Sequence, residues 1–128
     1  MATCARCRGV LNVVIQGRSF ALQSDGDVTV YASNFTREEV TDGNADFTMS
    51  DYNPRIIVTV QVPDDMYVRD LQELCGVPIV VELCNGRTFS AEEASNINTD
   101  PFDAKTGYLS LELIAPEIVE LLPQAVAA

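Results

Sequence analysis

This 128-residue chain contains four cysteines and no histidine. The cysteines are therefore the first side chains to consider for metal binding or redox chemistry. Cys4 and Cys7 form a C-x-x-C pair, whereas Cys75 and Cys84 are not closely spaced. A zinc site would require a second close pair, and a thioredoxin-type centre would require the C-x-x-C to begin a helix beside a βαβ unit. The sequence has neither pattern. We therefore predict no metal or redox centre, and we expect Cys75 and Cys84 to be small buried apolar residues.

Adjacent carboxylates are the other candidates for chemistry, and they occur at Glu38-Glu39, Asp64-Asp65 and Glu92-Glu93. Consecutive strand residues point to opposite faces, so such a pair does not converge on one substrate or cation. The Asn and Asp residues between 96 and 103 lack the order, the glycine and the distal glutamate of an EF-hand loop. Without histidine, a general base would also need a strongly perturbed carboxylate, lysine or cysteine. We predict that the protein is not an enzyme and has no cofactor.

Charge and composition narrow the possible partners. The chain has 19 acids and 8 bases, a net charge of −11, whereas a grip on nucleic acid phosphates needs a basic stripe. A hydrophobic content of 47% indicates a folded domain. No apolar run approaches the roughly 20 residues that cross a bilayer. No apolar segment of a secretory signal follows the first arginines, so we expect synthesis and folding in the cytoplasm and no membrane partner.

Short apolar segments separated by turn residues predict a mainly antiparallel β-domain over residues 10–115, between an N-terminal arm at 1–9 and a C-terminal tail at 116–128. Strands are predicted at 10–22 with a turn at Gln16-Gly17, at 28–32, at 55–62, at 77–90 with a turn at Asn85-Gly86, and at 107–115. One face of the strand at 55–62 contains Ile56, Val58, Val60 and Val62, and the strand at 107–115 is expected to point Leu109, Leu111 and Leu113 inward. The predicted fold is an antiparallel β-sandwich or barrel with one packed α-helix. The edges of such a sheet must be covered, by closure or by a neighbour.

The predicted helix lies at about residues 65–75 and is expected to be capped by Asp64 or Asp65. Its buried side is expected to contain Val68, Leu71 and Cys75. Residues 91–106 are predicted to be an acidic loop, and Pro116 is predicted to open a short helix that Pro123 ends.

Residues 34–53 form a long polar arm with no helix signal, which leads through Asn53-Pro54 into an apolar strand. The sequence TREEVTDG begins the arm at residue 36, and Asp42-Gly43 supplies a turn signal. One interpretation is a surface hairpin with a mobile tip. The other is that an arm that cannot bury itself contacts another molecule.

These elements, in this order, resemble the tail tube proteins of contractile-tailed bacteriophages of the Mu-like kind, over about residues 9–115. The matching segments are VLNVVIQGRSFAL, TREEVTDG, the start of the strand at Pro54-Arg55, the helix at Asp70-Leu71, VELCNGRTF and GYLSLELIA. The most specific match is Thr36, Arg37, Glu38, Glu39, Val40 and Thr41. The N-terminal CARC and the hydrophobic end at 118–128 depart from the family pattern.

The resemblance implies a structural virion protein that assembles in the host cytoplasm into hexameric rings, each ring completing the sheet. The rings would stack as the tail tube, the conduit for DNA ejection. The implied partners are the sheath outside, and the tape-measure protein and passing DNA inside without specific binding. Contacts between subunits or rings are expected at the six residues 36–41 and at Pro54 and Arg55. The alternative is a related tube or baseplate connector subunit of a contractile injection apparatus.

Two further expectations depend on this resemblance. Glu82 and Glu112 lie on strand faces opposite apolar residues and are candidates to line the channel, although alternation leaves open whether they face outward or a partner. Salt limits the reach of a charge to about 8 Å, so only acids in the channel wall would act on DNA. Cys4 or Cys7 is expected to form disulfides between subunits, or with the sheath, once the particle leaves the reducing host.

Overall fold

The computed structural model describes residues 9–22 and 28–122, which contain ten strands and one helix. Every pairing between these strands is antiparallel, so the predicted mainly β architecture is confirmed. The elements are β1 Val10–Ile15, β2 Arg18–Phe20, β3 Val28–Tyr31, β4 Phe35–Glu39, β5 Phe47–Asp51, β6 Arg55–Gln61, α1 Val68–Gln72, β7 Val77–Leu83, β8 Thr88–Asn96, β9 Tyr108–Ile114 and β10 Val119–Leu121. No helix in this part of the chain is long and apolar enough to cross a membrane.

Eight of these strands form one sheet that β8 divides into two layers. The strand order is β2-β1-β7-β8-β9-β6-β3, with β10 added to β8. Residues 88–94 of β8 pair with β7, residues 88–90 also pair with β10, and the last two residues of β8 pair with β9. A bridge between Leu22 and Val60 links the end of the first layer to the second. The inner faces of both layers contribute to one hydrophobic core.

In β6 and β9, buried and partly exposed side chains alternate strictly, and the buried ones form one side of the core. Ile56, Val58 and Val60 point inward from β6, and Leu109, Leu111 and Leu113 do so from β9, as predicted. Full burial of each such side chain stabilises the fold by about 1.5–3 kcal/mol. Among the described residues the core contains no buried polar or charged side chain.

Both predicted two-residue turns are present. Gln16 and Gly17 have φ values of 55° and 79°, which is the conformation that a tight hairpin requires, and Ile15 faces Arg18 across β1 and β2. At the second turn, Gly86 has φ 94° and the Asn85 side chain accepts a hydrogen bond from the backbone of Arg87 at 3.0 Å. These turns fix the register of both hairpins.

The helix prediction was correct in position but wrong in length and capping. Helix α1 has only five residues, and Tyr67 precedes it without a side-chain cap. Asp65 lies before the helix and pairs with Arg18 at 2.7 Å, so its carboxylate is engaged elsewhere. Asn96 accounts for the early end, because its backbone and side-chain N–H groups donate to the carbonyls of residues 74 and 72.

Two further expectations were wrong. The segment expected to be an acidic loop from residue 91 continues as β8 to Asn96, with Ala91 and Ala94 buried. A register shift opposite Val77 places exposed Glu92 and Glu93 between the two alanines, which hides the strand period in the sequence. The segment after Pro116 is a strand instead of a helix, because β10 pairs with the edge of β8. Pro123 lies outside the described residues.

Candidate assembly surface

The arm predicted at residues 34–53 is a β-hairpin that stands apart from the main sheet. Strands β4 and β5 pair only with each other among the described strands, from Phe35 opposite Asp51 to Glu39 opposite Phe47. The tip is closed by a hydrogen bond from the N–H of Val40 to the carbonyl of Asp46 at 3.0 Å. Every residue from 31 to 51 is exposed. The hairpin therefore lacks the packing partner that strands normally have. Because an isolated two-stranded hairpin is marginally stable at best in water, a packing partner would stabilise this one.

The turn at the tip is fixed by its own side chain. The Asp42 carboxylate accepts a hydrogen bond from the backbone N–H of Asn44 at 2.9 Å, and this bond lowers the pKa of Asp42. Gly43 and Ala45 both have positive φ, at 80° and 59°. The turn signal read from the sequence therefore corresponds to an ordered turn.

One side of the hairpin is aromatic, and we call it the aromatic face. It consists of Phe35, Arg37, Glu39, Phe47, Met49 and Asp51, because residues facing each other across a strand pair share a side. The Arg37 guanidinium lies 5.1 Å from the ring centre of Phe35 and 4.7 Å from that of Phe47. Such contacts stabilise by about 0.5–1 kcal/mol each at exposed sites. Arg37 therefore holds the two rings together.

The opposite side of the hairpin is polar, and we call it the hydroxyl face. It consists of Thr36, Glu38, Thr48 and Ser50. The string Thr36 to Thr41, singled out in the sequence, is thus divided between two surfaces of different chemistry. Alternation along a strand contained this information, since Phe35 and Arg37, like Phe47 and Met49, are two residues apart.

The base of the hairpin is attached firmly to the β-domain. The N–H of Tyr52 donates to the carbonyl of Asn34, and the Asn34 side chain donates to the carbonyl of Pro116, both at 2.9 Å. Arg55 stacks over the Tyr52 ring at 4.4 Å. Pro54, which follows the hairpin, is fully buried and so anchors its base in the domain.

The two acids considered for a channel lie on different layers. Glu112 points outward from β9 and pairs with Arg55 at 3.2 Å, in a region where Thr59 and Ser110 also join their hydroxyls at 3.2 Å. Glu82 points outward from β7 in the other layer, since Val81 beside it is buried. The two carboxylates therefore face opposite sides of the domain.

A groove with an acidic rim lies beside β10, and we call it the β8–β10 groove. Its volume is about 530 Å³, and its lining residues are Ser90, Ala91, Glu92, Glu93, Pro116, Glu117 and Val119. Beyond Val119, Leu121 and Leu122 are also exposed. Arg87 pairs with Glu120 at 3.2 Å and ties β10 to the preceding turn. The sequence did not reveal this groove, because it exists only once β10 has paired with β8.

Strands β2, β3 and β10 each have one edge without a partner strand in the part of the chain that the structure describes. The outer edges of β4 and β5 are also open. Unpaired edges present free N–H and C=O groups that another chain can pair with. The domain therefore offers several places for association.

The cysteines differ from the prediction. Cys75 is free and exposed, and Cys84 is half-buried and disulfide-bonded, so neither is a buried apolar residue. Cys4 and Cys7 lie outside the described residues. Within the described part of the chain, no group of His, Cys, Asp or Glu side chains is arranged to hold a metal ion.

Comparison with known proteins identifies the class of this β-domain. A family model described as "Phage tail tube protein" matches residues 5–120. The chain belongs to the phage tail tube protein family, as the resemblance in the sequence indicated. No curated protein sequence matches it.

The solved structures that share the fold include the following two. The anti-feeding prophage cap, a tube terminating cap, is similar with a TM-score of 0.54 and 16% identity over 86% of each chain. The sheath/tube terminator of PVC, an extracellular contractile injection system, in its extended state, has a TM-score of 0.57 and 15% identity over 95% of this chain and 98% of that one. At such identities the likeness shows the fold alone.

Proposed function

We propose that the protein is a structural tail tube subunit without catalytic activity, and that it assembles into hexameric rings that stack into the conduit for DNA ejection. Membership in the phage tail tube family supports a structural role in a tail. The observation that carries the proposal is the β4–β5 hairpin, which is tied to the domain at its base and exposed along its whole length.

Assembly would pair the strand edges and cover the hairpin that the single chain leaves exposed. Obligate interfaces bury about 2,000–5,000 Å², and an extended arm supplies area that a domain of this size otherwise lacks. Residues Thr36 to Thr41 provide the contact with a neighbouring subunit or ring, supported at the base by Pro54 and Arg55. Strand edges from adjacent subunits complete the sheet.

For the channel, we propose that the outward face of β6 and β9 forms the wall. Glu112 is then the channel acid, and Glu82 lies on the outer side, towards the sheath. Strand β6 contributes one basic residue to this face, Arg55, and Arg55 is paired with Glu112. A wall whose cation is neutralised, and whose other polar groups are hydroxyls and the amide of Gln61, has no grip on phosphates, so DNA and the tape-measure protein pass without specific binding.

The same proposal places the protein in the virion tail, after assembly in the host cytoplasm and with a sheath around it. Cys4 or Cys7 then cross-links subunits, or subunit and sheath, in the released particle. Non-reducing gels of particles whose thiols were blocked before lysis test this: cross-linked species support it, and monomer alone contradicts it.

Negative-stain microscopy of the purified protein tests the main proposal. We expect rings and, at higher concentration, tubes of stacked rings. A field of isolated single subunits at every concentration would contradict it.

A second candidate is a terminating or connecting ring of a contractile injection apparatus. Both solved structures named above are terminators, which favours this alternative. A terminator is expected to form single rings that do not stack and that stop growth when added to preformed tubes. Unlimited tubes of the protein alone favour the tube subunit.

A further inference from the structure

We propose that the aromatic face of one copy docks in the β8–β10 groove of a second copy, with Arg37 paired to the carboxylates of the groove rim. This inference rests on the proposed function, because it names the surfaces through which the copies assemble. It assigns different roles to the two faces of the hairpin.

The aromatic face has the composition of a contact surface. Phe47 is 50% exposed and Met49 is 55% exposed, although both are large apolar side chains. Phe35, on the same side of the hairpin, is also exposed, at 38%. Aromatic residues, methionine and arginine are the types enriched at protein interfaces.

Arg37 lacks a carboxylate partner among the described residues, where the ion pairs are those of Arg18, Arg55 and Arg87. Its guanidinium is already oriented by two phenyl rings, so little side-chain freedom is lost when its N–H groups bind an acid. A site that combines apolar surface with free carboxylates is the natural complement.

The β8–β10 groove has this combination. Glu92, Glu93 and Glu117 are exposed and form no ion pair among the described residues, and Ala91, Pro116 and Val119 supply apolar surface between them. Its volume of about 530 Å³ lies in the range of about 300–1,000 Å³ that holds whole small ligands. It therefore has room for the Met49 side chain, which lies opposite Arg37 at the centre of the aromatic face.

The occupant is a second copy and not the hairpin of the same chain. The hairpin starts beside the groove, where Asn34 bonds to Pro116, and its residues are exposed along the whole length. A face of one copy on a groove of the next is a head-to-tail contact, and repetition of such a contact closes a ring when the rotation permits.

Charge also sets the register of the contact. Glu39 and Asp51 lie at the two ends of the same side of the hairpin, and Arg37 lies at its centre. Only the centre is complementary to an acidic rim, whereas a shifted hairpin would bring like charges together. Repulsion of this kind excludes wrong alignments.

A charge exchange tests the proposal in the full chain. R37E and the double variant E93R/E117R are made separately, and circular dichroism and thermal unfolding establish that each is folded. We expect each alone to lower the fraction assembled into rings or tubes by at least about tenfold, as measured by sedimentation and microscopy. An equimolar mixture restores assembly, because alternating copies place the introduced glutamate of one variant against the introduced arginines of the other.

E73R, at an exposed glutamate after α1 and outside both the hairpin and the groove, is the matched control, and we expect it to assemble like the wild type. Three outcomes overturn the inference: R37E assembles normally, the mixture of folded variants fails to assemble, or E73R is as damaging as R37E. If the wild type itself forms neither rings nor tubes, the proposed function fails first, and the two failures are thus distinguishable.

Discussion

The β6–β9 pair and the β4–β5 hairpin are both antiparallel strand pairs with alternating side chains, yet their surroundings are opposite. In β6 and β9 every second residue is fully buried, whereas every residue of β4 and β5 is exposed. The hairpin nevertheless contains large apolar side chains, as the core strands do. The comparison teaches that one strand pair stabilises the domain, and that the other has surface suited to a partner outside it.

Removing the hairpin is the strongest way to break this comparison. Residues 35–51 are replaced by a short glycine-containing turn, since Asn34 and Tyr52 already meet at the base. The domain is expected to stay folded, because no core residue is lost, but to lose assembly completely. Circular dichroism and negative-stain microscopy measure the two effects. Rings or tubes formed by the shortened chain would show that the hairpin is not the contact.

A matched pair of truncations separates the two regions by stability. Leu111→Ala in β9 is expected to lower the free energy of unfolding by about 2–5 kcal/mol, because it leaves a cavity in the core. Met49→Ala in the hairpin is expected to change it by less than about 0.5 kcal/mol in the unassembled chain. Denaturant unfolding at low protein concentration measures both. Equal losses would contradict the division between core and contact surface.

The ion pair below the hairpin provides an intermediate case. Arg55 and Glu112 are 21% and 27% exposed, and Arg55→Gln leaves the glutamate without its cation. We expect a loss of about 1–3 kcal/mol in the free energy of unfolding. The double variant Arg55→Gln/Glu112→Gln is expected to recover part of it. If the single and double variants unfold alike, the pair contributes nothing specific.

The smallest expected effect is that of low pH on the stability contributed by the surface ion pair between Arg18 and Asp65. The hydrogen bond from Arg18 lowers the pKa of Asp65 below 3.8, so the stability it contributes is present above that pH and is lost as the pH falls through the folded-state pKa. The difference in unfolding free energy between wild type and Arg18→Gln should therefore shrink below about pH 3.8. A difference that stays constant down to about pH 2 would contradict this cause.

Much of the β-domain could be predicted from the sequence, because alternation and turn chemistry act locally. The Gln16-Gly17 and Asn85-Gly86 turns and the inward leucines of β9 are examples. Predictions that depended on distant partners were wrong: Asp65 is engaged by Arg18 instead of capping a helix, and β10 forms because β8 offers a free edge. The two faces of the hairpin could have been predicted from the alternation of its residues. The groove could not, because it depends on the pairing of β10 with β8, which are distant in sequence.

Hydrogen exchange of the 128-residue chain, before and after assembly, tests the central claim that sister copies cover the surfaces and strand edges that the single chain leaves exposed. Residues 35–51 and β10 are expected to exchange rapidly in the unassembled chain and to become strongly protected in rings or tubes, while β6 and β9 are protected in both. Assembled particles in which the hairpin and β10 exchange as fast as in the free subunit would contradict the account.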